Sequence, residues 1–137
     1  MNLNKVLIVS NHVTSLNIIR SLGSKGIPVY LTHKDPLNIG RYSRYCKKFF
    51  KSPSFFNSRE FVDFLISLAI NKGMEGAILI PTNDHTVSIL SQNKTELEKY
   101  FKVPLPGWEI INRAFDKRLT FDIAMKNGIP VPKPIYP

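Results

Sequence analysis

Short aliphatic runs alternate along the chain with longer stretches whose apolar residues recur every three or four positions. Lys5-Val6-Leu7-Ile8-Val9-Ser10 is nearly continuous in β-branched and aliphatic side chains, the pattern of a parallel strand buried on both faces. Asn11-His12-Val13-Thr14 reads as a turn, and Thr14 or Ser15 as the cap of a helix with Leu16, Ile19 and Gly23 on one face. Gly26-Ile27-Pro28 stops that helix, and Val29-Tyr30-Leu31-Thr32 reads as a second strand. Asp35-Pro36 opens a loop or short helix through Arg44, and Lys48-Phe49-Phe50-Lys51 is a third strand ended by Ser52-Pro53. Ser58 is expected to cap a helix in which Phe61, Phe64, Leu65 and Leu68 form a core-facing stripe, with Gly73 as its stop. Gly76-Ala77-Ile78-Leu79-Ile80-Pro81 reads as a fourth strand, and Asp84 to Gln92 and Thr95 to Tyr100 as helical. Lys102-Val103-Pro104-Leu105-Pro106 is extended, and Asp116 caps a last helix that carries Leu119, Ile123 and Ala124 and ends at Gly128 and Pro130.

This order of elements predicts an α/β fold: an open, mostly parallel sheet with strand order 3-2-1-4 and helices on both faces. The order reverses between the first and fourth strands. Ligands of such sheets bind at the carboxyl ends of the strands beside the reversal. Ser10-Asn11-His12-Val13-Thr14 and Pro81-Thr82-Asn83-Asp84-His85 are the two loops expected there.

Composition narrows the class. The 137 residues suit one compact domain and, at 43% hydrophobic and 21% charged, are not those of a disordered chain. No run approaches the roughly 18 apolar residues of a membrane span, so no membrane partner is expected. The single cysteine, Cys46, excludes an internal disulfide framework and a multi-cysteine zinc site, and a reducing, cytoplasmic setting follows as the expectation. The net charge of +9 is uneven: residues 1–52 hold nine Lys/Arg against Asp35 alone. Such an excess attracts phosphates or nucleic acid, or is balanced by an acidic remainder of a longer chain.

Candidate chemistry is sparse. The first loop lacks the glycines that let backbone approach a pyrophosphate, which argues against a standard dinucleotide site. His12 and His85 fall in the two converging loops, and Asp84 beside them, but no third ligand is specified and no metal site is assigned. The basic and aromatic residues of Arg41-Tyr42-Ser43-Arg44-Tyr45-Cys46-Lys47-Lys48-Phe49-Phe50-Lys51 suit single-stranded nucleic acid, or equally an edge strand protected by lysines. Basic neighbours are expected to lower the pKa of Cys46. No complete catalytic set is present.

Several phrases together resemble one family. Lys5-Val6-Leu7-Ile8-Val9, Gly26-Ile27-Pro28-Val29-Tyr30, Ile39-Gly40-Arg41-Tyr42-Ser43-Arg44-Tyr45-Cys46, Ile80-Pro81-Thr82-Asn83-Asp84 and Asp116-Lys117-Arg118 leading to Gly128-Ile129-Pro130-Val131-Pro132 occur in order. The chain resembles the amino-terminal, Rossmann-like domain of ATP-grasp ligases, in the carboxylate–amine ligase and carbamoyl-phosphate-synthase-like branch. The resemblance implies residues 1–115 as that domain and 116–137 as the truncated start of the ATP-binding portion. It implies an ATP- and Mg²⁺-dependent parent enzyme that activates a carboxylate as an acyl phosphate for attack by an amine. The fragment alone is expected to be inactive and to hold neither ATP nor Mg²⁺. Lys117 is carried over as a nucleotide-contacting residue. Asn11, His12, Thr82 and Asp84 are expected to face a small carboxylate or amine substrate, and Arg41 to neutralise a substrate carboxylate. The Asn11-His12 pair departs from the glycine pair common in the family at that loop. The expected partners are the substrate, the missing ATP-binding domain of the same chain, and a second copy paired at an exposed sheet edge. The alternatives are a stand-alone small-molecule-binding module and a nucleic-acid-binding domain.

Overall fold

Four short strands rich in aliphatic or aromatic residues, joined by crossovers, form one parallel sheet. The computed structural model describes residues 4–9 and 12–132, with His12 described by its backbone alone. The strands are β1 (Val6–Val9), β2 (Val29–His33), β3 (Cys46–Lys51) and β4 (Ile78–Pro81). Their order is β3-β2-β1-β4, as the sequence pattern predicts. Val6 pairs with Val29 and with Ile78, and Val9 with Thr32 and with Pro81, so the carboxyl ends of β2, β1 and β4 lie level. The β2–β3 register shifts between Val29 and Tyr30, where Lys47 is the extra residue of a bulge.

The two faces are filled by alternation. Val6 and Ile8 point with Val29 and Leu31 towards Ile19 of α1 (His12–Gly23), and all five are buried. Leu7 and Val9 point the other way, to Phe61 and Leu65 of α2 (Ser58–Lys72) and to Ile89 and Leu90 of α3 (Asp84–Gln92). Each such side chain contributes about 1.5–3 kcal/mol on burial. Two close approaches hold α1 down. A Cβ on Gly40, in the 3-10 turn Ile39–Tyr42, would lie 2.9 Å from Ile19 Cδ1, and a Cβ on Gly23 would collide with Tyr45 Cβ.

Helix ends depart from the sequence expectations in instructive ways. α1 begins at His12, so Thr14 and Ser15 lie inside it rather than capping it, and the fully buried Ser15 faces the packed side. Asn57, not Ser58, caps α2, its side chain accepting from the Glu60 amide at 3.2 Å. Gly73 ends α2 in the left-handed region at φ 66°, as expected of a glycine stop. β4 starts at Ile78 rather than Gly76, because Gly76 has φ 71° and cannot lie in the ladder. The helix expected over 95–100 is the single turn α4 (Lys94–Leu97). Lys102 then pairs in parallel with Ile78 at the outer side of β4.

The chain divides into two compact units, Met1–Leu105 and Pro106–Pro137. The second holds α5 (Trp108–Phe115) and α6 (Lys117–Lys126). The sequence reading had no helix at α5. Its signal is Trp108, Ile111 and Phe115 spaced along one face after Gly107, with the Trp108 and Phe115 rings 5.6 Å apart. Asp116 caps α6 as expected, accepting from the Arg118 amide at 2.8 Å.

Candidate functional site

The carboxyl edge of the sheet is where chain ends, helix starts and unspent polar groups meet. Thr82, just past β4, donates its amide (3.2 Å) and its hydroxyl (3.3 Å) to the carbonyl of Val9, the last residue of β1. The start of the loop after β4 is therefore tied to the end of β1, at the reversal of strand order. Asn83 caps α3: its side-chain oxygen accepts from the Thr86 amide at 2.8 Å, while the Thr86 hydroxyl donates to the Asn83 carbonyl at 3.0 Å. This aims the amino end of α3, with Asp84 and His85 in its first turn, at the sheet edge.

A groove of about 470 Å³ opens here, lined by His33, Lys34, Phe55, Phe56, Asn83, Asp84 and His85. His33 ends β2 and is 4% exposed. Its Nδ1 accepts from the Asp35 amide at 3.0 Å, which places the proton of the neutral ring on Nε2. His85 Nε2 lies 3.0 Å from the Phe55 carbonyl, an acceptor only, so this nitrogen is the donor and Nδ1 is left as an acceptor. Phe55 is anchored edge-on against the buried Phe61 at 4.9 Å, whereas Phe56 is 85% exposed, 5.5 Å from the His85 ring and 6.0 Å from Lys34 Nζ.

The residues expected from sequence are distributed unequally around this groove. Asp84 lines it, whereas Thr82 is not among the lining residues and its hydroxyl is bonded to the Val9 carbonyl. Asn11 lies outside the described residues, and only the backbone of His12, the first residue of α1, is described. Arg41 is not among the lining residues. Its guanidinium donates to the Pro36 carbonyl at 3.1 Å and covers the Phe49 ring at 5.3 Å. Lys117 is exposed at the start of α6 in the second unit. His33, Lys34, Phe55 and Phe56 were not singled out from sequence. The available signal was the Phe55-Phe56 pair in a loop between Pro53 and Asn57, where two large apolar side chains have no helix or strand to bury them.

Other chemistry read from the sequence changes on the structure. Burial pushes the Cys46 thiol up, against the weaker opposing effects of its hydrogen bond to Lys48 and the charge of Arg41. The expected lowering by basic neighbours is therefore reversed, because desolvation of a thiolate outweighs charges that sit in solvent. Rings of the basic segment are covered by their own cations: Arg44 lies 5.4 Å from the Tyr45 ring and Lys48 5.5 Å from that of Phe50. Among the described residues no three His, Cys, Asp or Glu side chains converge into a metal-holding group. No helix among the described residues is long and apolar enough to cross a membrane.

Comparison with known proteins places the fold. No family model matches the chain, and no curated protein matches it in sequence. Solved structures do. An L-amino acid ligase from Bacillus licheniformis superposes with a TM-score of 0.72 at 15% identity, over 96% of this chain and 32% of that one. The biotin carboxylase domain of Hydrogenobacter thermophilus 2-oxoglutarate carboxylase, in complex with MgADP, ADP and bicarbonate, gives 0.69 at 18%, over 93% and 28%. N5-carboxyaminoimidazole ribonucleotide synthetase from Thermotoga maritima gives 0.62 at 22%, over 96% and 33%. The chain thus spans about a third of the length of each. The open α/β fold read from the sequence is the fold these structures share with the chain.

Proposed function

We propose that the chain is the amino-terminal, substrate-side domain of an ATP-dependent ligase that activates a carboxylate as an acyl phosphate for attack by an amine. The observation that carries this reading is the match of 93–96% of the chain to a ligase, a carboxylase and a synthetase, one of them solved with MgADP and bicarbonate. Residues 1–115 form the substrate-side domain in this reading, and 116–137 begin the ATP-binding portion, with Lys117 in the first turn of α6 reaching a phosphate. ATP and Mg²⁺ supply the phosphoryl group and its charge neutralisation. In this reading the carboxylates that hold the metal belong to the ATP-binding portion, and the described residues form no group of three that would hold it.

The work of these residues is to bind, orient and shield. A mixed anhydride is lost to water unless the site is closed and dry. The bond of Thr82 to the end of β1 steadies the loop that carries Asn83 and Asp84, and the aromatic wall of Phe55 and Phe56 removes water from one side. Asn11, His12, Thr82 and Asp84 face the substrate. Lys34 is the cation that the groove offers to a carboxylate. The unpaired side of β3, protected by Lys47, Lys48 and Lys51, is the edge on which a second copy would pair.

The test is to express the full product of the gene and measure ADP formation with a panel of carboxylates, with hydroxylamine present to trap acyl phosphates as hydroxamates. Carboxylate-dependent ADP and hydroxamate formation supports the reading. ATP turnover absent with every carboxylate overturns it.

A further inference from the structure

The groove at the carboxyl edge holds two charges of opposite sign that the fold does not spend on each other. Among the described residues the ion pairs are Arg59 with Asp63, Arg59 with Glu96 and Lys94 with Glu98, and neither Lys34 nor Asp84 takes part in one. Lys34 follows β2 and Asp84 opens α3, so the two charges enter the groove from different elements. The exposed ring of Phe56 and the Nδ1 acceptor of His85 lie in the same groove.

We propose that this groove binds an α-amino acid as its zwitterion, with the carboxylate at Lys34, the ammonium at Asp84 and an aromatic or large apolar side chain against Phe56. The charges select for it. A phosphate or dicarboxylate meets Asp84 as a like charge, and an amine without a carboxylate meets Lys34 in the same way. A ligand carrying both signs pays neither penalty. His85 adds a second acceptor for the ammonium, since its other nitrogen is engaged with the Phe55 carbonyl. The Phe56 ring gains burial it lacks in the free chain, and its π-face suits an aromatic side chain. The volume of about 470 Å³ is ample for an amino acid and falls within the usual range of small-molecule sites. The role of this ligand as the substrate rests on the ligase reading above; its binding does not.

The experiment is calorimetric and NMR titration of the 137-residue chain with L-phenylalanine, 3-phenylpropanoate, 2-phenylethylamine and glycine. L-phenylalanine binds and shifts the His85 ring signals, and removing either of its charges weakens binding about tenfold, the scale of one charge-assisted hydrogen bond. Lys34→Gln weakens L-phenylalanine and strengthens 2-phenylethylamine, whose like-charge neighbour it removes. Asp84→Asn weakens L-phenylalanine and strengthens 3-phenylpropanoate, whose like-charge neighbour it removes. Phe56→Ala brings L-phenylalanine down to the level of glycine. All three positions are exposed, and far-ultraviolet circular dichroism confirms that each variant keeps the fold. Absence of binding, or equal binding of the three aromatic ligands, overturns the proposal, as does L-phenylalanine binding that Lys34→Gln and Asp84→Asn leave untouched. Carboxylate-dependent ADP formation by the full gene product without amino-acid binding retains the ligase reading and overturns this one. Zwitterion-selective binding without ATP turnover retains this site and removes the ligase.

Discussion

Thr82 gives both its amide and its hydroxyl to the one carbonyl of Val9, at 3.2 and 3.3 Å. That carbonyl belongs to the last residue of β1, and Thr82 is the first residue past β4, so the two strands are locked where their chains part. Thr82→Val keeps the amide bond and the side-chain shape but removes the hydroxyl. We expect it to cost about 1 kcal/mol of stability, read by urea unfolding, with Thr82→Ser near wild type. Equal stability of all three would mean that the hydroxyl does not hold this junction.

The two glycines beneath α1 are close for different reasons, and their alanine variants should respond differently to relief. Gly40→Ala puts its Cβ 2.9 Å from Ile19 Cδ1, an atom that Ile19→Val deletes. Gly23→Ala meets the Cβ of Tyr45, which remains in Tyr45→Ala. Each glycine substitution is expected to cost about 1–3 kcal/mol by overpacking. The Gly40→Ala cost should shrink in an Ile19→Val background, while the Gly23→Ala cost should persist in Tyr45→Ala. Double-mutant denaturation curves decide it.

Arg59 on α2 binds both Asp63 on its own helix and Glu96 on α4. The hydrogen bond from Arg59 holds the Glu96 carboxyl below the usual carboxylate range, and the same contacts raise Arg59. A carboxylate whose pKa is depressed by folding stabilises fully above its unfolded pKa, about 4.3, and loses that contribution as pH falls through the lower folded value. Stability should therefore drop on acidification below about pH 4, and less so in Glu96→Gln. Because the groups are exposed, 1 M salt should flatten the difference between the two proteins. Urea midpoints at pH 6 and pH 3, at low and high salt, provide the check.

Cys46 is half-buried on the edge strand, and burial raises its thiol pKa. Its reaction with a soluble disulfide reagent should be slow at pH 7. The rate should rise with a midpoint above the roughly 8.5 of a free thiol. A midpoint below that value would show that the basic neighbours prevail after all.

Much of this architecture could be read before folding because its signals are local. Continuous aliphatic runs such as Val6–Val9 belong in buried parallel strands wherever they occur, and Gly73 ends a helix because only glycine takes its φ cheaply. Asp116 caps α6 through an amide two residues away. The errors fell where neighbours in sequence misled. Cys46 sits among lysines and arginines, but the burial that sets its pKa comes from the packed strand and not from its neighbours. The contacts of Arg41 with the Pro36 carbonyl and the Phe49 ring are likewise set by packing and not announced by its basic neighbours.

The groove shows the division most sharply. By itself the sequence determined the order of strands and helices, hence the 3-2-1-4 sheet and the edge at which a ligand would sit, because periodicity and crossover handedness are properties of short segments. Only the tertiary structure decided which side chains share that edge. His33 and Lys34, Phe55 and Phe56, and Asn83 to His85 come from three separate parts of the chain, and what they present together depends on strand register and packing. Such contacts between distant residues leave no mark in the spacing of any one segment, since each pays its loop-closure cost only when the sheet forms.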